Sequence, residues 1–143
     1  MTTSGIAFFS ENTGFLLRNK KKVREWLADT IIREGFSPGE ISIIFSNDAY
    51  LHEMNIKYLA HDTFTDVITF DYSEGSLISG DVFISIERVK ENSVSYSKTF
   101  SDELNRVMVH GVLHLCGYKD KSEKDLANMR KKEEQYLSLF PNS

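Results

Sequence analysis

Leu104, Val107, Met108, Gly111 and Leu115 recur at the three- and four-residue spacing of one helix face, and His110 and His114 leave the same helix one turn apart. One helix must therefore keep an apolar stripe against a core while aiming two imidazoles at a common point. Imidazoles at that separation can reach a single ion. Ser101 is the expected cap at the start of this helix, and Gly117 supplies the left-handed turn that closes it. A reversal at Gly117 brings Tyr118, Lys119 and Asp120 back beside the last turn, which makes Asp120 the expected third ligand. Glu123 and Asp125 compete for that role.

The rest of the chain must supply the core that this helix needs. With 143 residues, 41% apolar and 12% aromatic, the expectation is one compact domain spanning residues 1–143. Residues 6–9 read as a strand, followed by a turn at Asn12, Thr13 and Gly14. Val23, Trp26, Leu27, Thr30 and Ile31 fall at helical spacing, with Gly35 and Pro38 marking the stop. Residues 40–45 form a β-branched strand, after which Ser46, Asn47 and Asp48 offer caps for a helix burying Leu51, Met54, Tyr58 and Leu59. Residues 67–70 and 82–86 read as two further strands, separated by a polar loop containing Gly75, and residues 87–97 as a helix. Ser122 with Asp125 resembles a capping box opening a last helix, whose inner side carries Leu126, Met129, Glu133, Tyr136, Leu137 and Phe140. The fold class is mixed α/β (α+β), with about four strands and about five helices. Strand order does not follow from this pattern.

A formal net charge of −4 and a pI near 5.6 exclude a chain built to coat nucleic acid electrostatically, so a polyanionic partner must use a local basic patch. Lys20, Lys21 and Lys22 with Arg24, and the run Arg130, Lys131 and Lys132, read as solvated helix faces. The single cysteine, Cys116, excludes an internal disulfide and points away from the histidine pair, as a core residue does. No stretch approaches the apolar length that crosses a bilayer, and residues 6–9 lack the preceding basic region of a secretory signal. The expected compartment is the cytoplasm, with no membrane partner.

Two imidazoles and one carboxylate suit zinc and several other divalent ions, and three protein ligands leave a coordination position open. That is a catalytic arrangement, with a ligand charge of −1 from Asp120. Gly111 stands where a helix-borne metalloprotease places its general-base glutamate, which argues against ordinary peptide hydrolysis. On the inner stripe the same glycine lets a neighbouring element approach the helix backbone. Spacing alone supports equally well a pair of histidines with no metal and a solvated turn carboxylate at Asp120.

The run from His110 through Gly111, Val112, Leu113, His114, Leu115, Cys116, Gly117, Tyr118 and Lys119 to Asp120 resembles the signature of the YbeY family of metal-dependent endoribonucleases, the rRNA maturation factors. Two other segments agree: Thr65, Asp66, Val67, Ile68, Thr69 and Phe70, and Gly80, Asp81, Val82, Phe83, Ile84 and Ser85. With Asn55 and Tyr58, the matching positions run from about residue 50 to residue 120. The resemblance implies a single α/β domain holding a divalent ion, zinc first among them, at His110, His114 and Asp120. It further implies action on single-stranded RNA, ribosomal RNA or ribosomal particles as partner, and no role on DNA. Maturation and quality control of ribosomal RNA would be its setting.

The departures from the family pattern are specific. Its third metal histidine falls at Asp120, the aspartate before it at Lys119, and an arginine linked to RNA contact at Leu59. Ligand chemistry survives at Asp120, but no arginine role carries over. His61 is the nearest polar candidate for the substrate contact, beside the reading of an ordinary loop histidine. Asp66 and Asp81 either orient the histidines or satisfy backbone donors in turns, and the structural role is favoured for both. Two alternatives stand beside the nuclease: a metal-dependent hydrolase of another ester or amide, and a non-enzymatic ribosome-assembly factor whose metal is structural.

Overall fold

The computed structural model describes residues 5–61 and 63–141. Among these residues, four strands and five helices follow in the order β1 (Gly5–Ser10), α1 (Lys20–Arg33), β2 (Ser37–Ser46), α2 (Asp48–Leu59), β3 (Val67–Asp71), β4 (Leu77–Ser85), α3 (Ile86–Ser95), α4 (Phe100–Leu115) and α5 (Glu123–Leu137). The sheet order is β1-β2-β4-β3. β1, β2 and β4 run parallel, and β3 closes the edge antiparallel to β4 with Thr69 opposite Val82.

Successive strand residues point to opposite faces, and that alternation separates the helices. Val82 and Thr69 face α4 at Gly111, while Phe83 and Phe70 pack on the other face against Tyr50 and Tyr58 of α2. α1 lies beside α4 and buries all five residues of its expected stripe, Val23, Trp26, Leu27, Thr30 and Ile31. Its C-terminus closes as expected at Gly35, with Gly35 N–H donating to Ile32 and Phe36 N–H to Ile31. α5 covers the outer side of this layer, and the buried Trp26 indole donates to the Tyr136 carbonyl at 2.8 Å.

Several boundaries differ from expectation. β4 starts at Leu77, five residues before Val82, because the small polar run Ser79, Gly80 and Asp81 pairs within the sheet and hides its strand character. Ile86 opens α3 rather than ending the strand, with Ser85 Oγ accepting from Arg88 N–H as the cap, and that helix ends at Ser95 rather than 97. β2 includes Pro38, at a register irregularity and before β1 pairing begins at Glu40, where the missing N–H costs nothing. Thr99, not Ser101, caps α4 by accepting from Asp102 N–H at 3.0 Å. The earlier start puts Phe100 in the first turn, where its ring meets Phe15 edge-on. α2 buries Leu51 and Asn55, whereas Tyr58 and Leu59 are exposed. Asn55 satisfies its buried amide by donating to the Thr63 carbonyl at 2.9 Å.

Candidate metal centre

α4 ends in a Schellman turn: Gly117 (φ 108°) donates its N–H to His114 and Tyr118 donates to Leu113. A side chain with a Cβ is strained at that φ, so glycine permits the reversal. The chain then doubles back, and the Tyr118 hydroxyl donates to Glu34 at 2.7 Å, fastening the loop to the end of α1. Two residues on, Asp120 faces both histidines. Its Oδ2 lies 3.0 Å from His114 Nε2 and 3.4 Å from His110 Nε2, and the two imidazole centroids are 4.9 Å apart.

His110, His114 and Asp120 offer ligand atoms that all lie within 4.8 Å of one another, the one such group among the described residues. The donor chemistry fits a divalent ion: both Nε2 atoms and one carboxylate oxygen converge at a half-buried surface. Burial alone would raise the Asp120 carboxyl, but the hydrogen bond from His114 and the charge of both imidazoles more than offset it and hold it below the ordinary range. Glu123 and Asp125, in the first turn of α5, do not belong to the group. His61 is exposed in the loop after α2 and also stands outside it.

Behind His110 lies a polar network that the sequence reading missed. His110 Nδ1 is 2.6 Å from Glu133 Oε2, on α5. Arg106 donates to Glu133 Oε1 at 3.3 Å and to Glu103 Oε2 at 2.7 Å, and lies 3.5 Å from Asp66. Glu103 and Glu133 are buried. Burial opposes the charge on Arg106, but the Glu103 hydrogen bond and the charges of Glu133 and Asp66 overcome it and raise its pKa. Burial raises the carboxyl of Asp66 despite Arg106 and His110 nearby. Asp66 is therefore one link removed from the histidines, while Asp81 faces the opposite side of the sheet beside Tyr72. Two signals pointed to this network: Glu103, Arg106, His110 and His114 recur at helical spacing, and Glu133 is an acid within the apolar stripe of α5.

Cys116 is half-buried against the core, and burial pushes its thiol up to about 12, so it is not a nucleophile at neutral pH. No helix is long and apolar enough to cross a membrane among the described residues.

Comparison with known proteins places these features in a group. The sequence profile of the family described as Endoribonuclease YbeY matches residues 10–141. A protein named Endoribonuclease YbeY from Flavobacterium psychrophilum is 52% identical over 132 residues, covering 92% of this chain and 94% of that protein. One of the same name from Christiangramia forsetii is 48% identical over 140 residues, covering 98% and 97%. The solution structure of TM1509 from Thermotoga maritima is similar with a TM-score of 0.64 at 27% identity, covering 93% of this chain and 87% of that one.

Proposed function

Because this chain belongs to the YbeY family of endoribonucleases, we propose that it cuts single-stranded RNA at a divalent-metal centre held by His110, His114 and Asp120. Its setting in this reading is the cytoplasm, in maturation and quality control of ribosomal RNA, and zinc is the preferred ion. The observation that carries the reading is the convergence of both imidazole Nε2 atoms on one oxygen of Asp120.

A divalent ion bound there supplies a Lewis acid for the scissile phosphate. The residues do the rest. His110 and His114 contribute nitrogen donors from a rigid buried helix, and Asp120 contributes the one anionic ligand. The Tyr118 tether and the Gly117 reversal keep Asp120 within reach of both. Lys119, Lys121 and Lys124 are exposed around Asp120 in the chain and offer local cations to an RNA backbone on an otherwise acidic protein. His61 takes the substrate-side contact, so His61→Ala should weaken RNA binding and leave metal affinity intact.

The test uses labelled RNA as a free single strand, as a duplex and within ribosomal particles. The parent should cut unpaired RNA in preference to duplex, and His114→Ala should lose the cut while keeping its circular dichroism spectrum. Binding to particles without cleavage would favour an assembly factor, and metal-dependent hydrolysis of a small ester with RNA untouched would favour another hydrolase.

A further inference from the structure

Glu133 lies outside the trio that converges on the ion site, yet it makes a shorter polar contact with His110, 2.6 Å at Nδ1, than Asp120 makes at Nε2, 3.4 Å. Its side chain is 5% exposed, on a helix whose other buried residues are Met129 and Tyr136. A buried carboxylate is costly without partners, and Glu133 has two: His110 on Oε2 and Arg106 on Oε1 at 3.3 Å. Arg106 is in turn gripped by Glu103 at 2.7 Å, so the carboxylate plane is held from behind.

We infer that Glu133 is a positioning residue for the metal centre: it accepts the Nδ1 proton of His110, fixing the imidazole so that Nε2 is the nitrogen turned toward Asp120. The neutral imidazole carries one proton on one of its two nitrogens, so a proton held at Nδ1 leaves the Nε2 lone pair as the metal donor. The accepted hydrogen bond also raises the donor strength of Nε2. Glu103, Glu133 and Asp66 face a single guanidinium, so the local field favours a cation on the far side of His110. Without Glu133, the Nδ1 proton loses its carboxylate acceptor and the tautomer that leaves Nε2 bare is no longer favoured.

This inference rests on the metal-centre reading above, and its test separates the two. Zinc affinity is measured by competition with a chromophoric chelator in the parent, Glu133→Gln and Met129→Ala. Glu133→Gln keeps the shape of the side chain and should weaken zinc by about ten- to a hundred-fold with its helical content intact. Met129→Ala loosens the same face of α5 and leaves the Glu133 carboxylate in place, and should lower Tm while binding zinc like the parent. Equal affinity in Glu133→Gln and the parent, or an equal loss in Met129→Ala, would overturn the inference. A 15N NMR spectrum of the metal-free parent decides the matter even where Glu133→Gln fails to fold. It should find His110 Nδ1 protonated, and a bare Nδ1 would overturn the inference. A parent that binds no zinc yet shows the Nδ1 proton would instead contradict the metal-centre reading and leave the positioning of His110 upheld.

Discussion

Asp120 faces two nitrogens through one oxygen, His114 Nε2 at 3.0 Å and His110 Nε2 at 3.4 Å, and that shared approach is what the proposed ion site rests on. Asp120→Ala should weaken metal binding by at least about ten-fold, whereas Asp120→His should retain it, since imidazole reaches the same region with another acceptable donor. Chelator competition ranks the three proteins, and unchanged affinity in Asp120→Ala would remove Asp120 from the ligand set. The position of Asp120 beside both histidines was legible in the sequence because a glycine at a helix end has a conformational consequence that can be followed for several residues. Glu133 was not legible, because periodicity reports which side of a helix faces inward and says nothing of what awaits there. An acid among Met129, Tyr136 and Leu137 was the visible anomaly, and its explanation lay on another helix 27 residues away at Arg106.

At the scale of the element, α4 does two jobs that meet at Gly111. A Cβ built there would lie 2.6 Å from Val82 Cγ1, so the helix carries its histidines as close to β4 as it does only because this residue has no side chain. Gly111→Ala should cost about 1–3 kcal/mol through overpacking. Adding Val82→Ala should recover part of that loss, and urea denaturation of the two variants and the parent checks it. An undiminished midpoint in Gly111→Ala would show that the helix has room to shift. Helices with strong apolar stripes, α1 and α4, matched their expected faces because burial dominates their periodicity. α2 did not: it packs on the opposite face of the sheet with few buried positions, Leu51 and Asn55, and leaves Tyr58 and Leu59 to solvent. The cap of α4 moved to Thr99 for a tertiary reason, the docking of Phe100 on Phe15, that local sequence does not carry.

At the scale of the molecule, Glu34 ties three parts of the chain together. From the end of α1 it accepts from Tyr118, in the loop that carries Asp120, and from Tyr136 on α5, and it pairs with Lys132 at 3.2 Å. Burial alone would raise its carboxyl, but the two tyrosine hydroxyls and Lys132 outweigh that and hold it below the ordinary range. A carboxyl lowered in the fold contributes stability that is fully present above its unfolded value, about pH 4.3, and is lost as pH falls through the folded value. The Tm advantage of the parent over Glu34→Gln should therefore be full at neutral pH and shrink below about pH 4. A constant difference across that range, measured by thermal denaturation, would show that Glu34 acts through packing alone.

With a net charge of −4, RNA binding must rely on local cations, so affinity for a single strand should fall as salt rises, measured by fluorescence anisotropy. RNA cleavage by this chain should require an ion held by the α4 histidines. The protein is stripped with a chelator, and zinc is titrated back against single-stranded RNA. Cleavage by the parent should vanish on stripping and return with one equivalent of ion, while His114→Ala, folded and given the same zinc, should stay inactive. Full cleavage by the stripped parent, or by His114→Ala at the parent's rate, would contradict it.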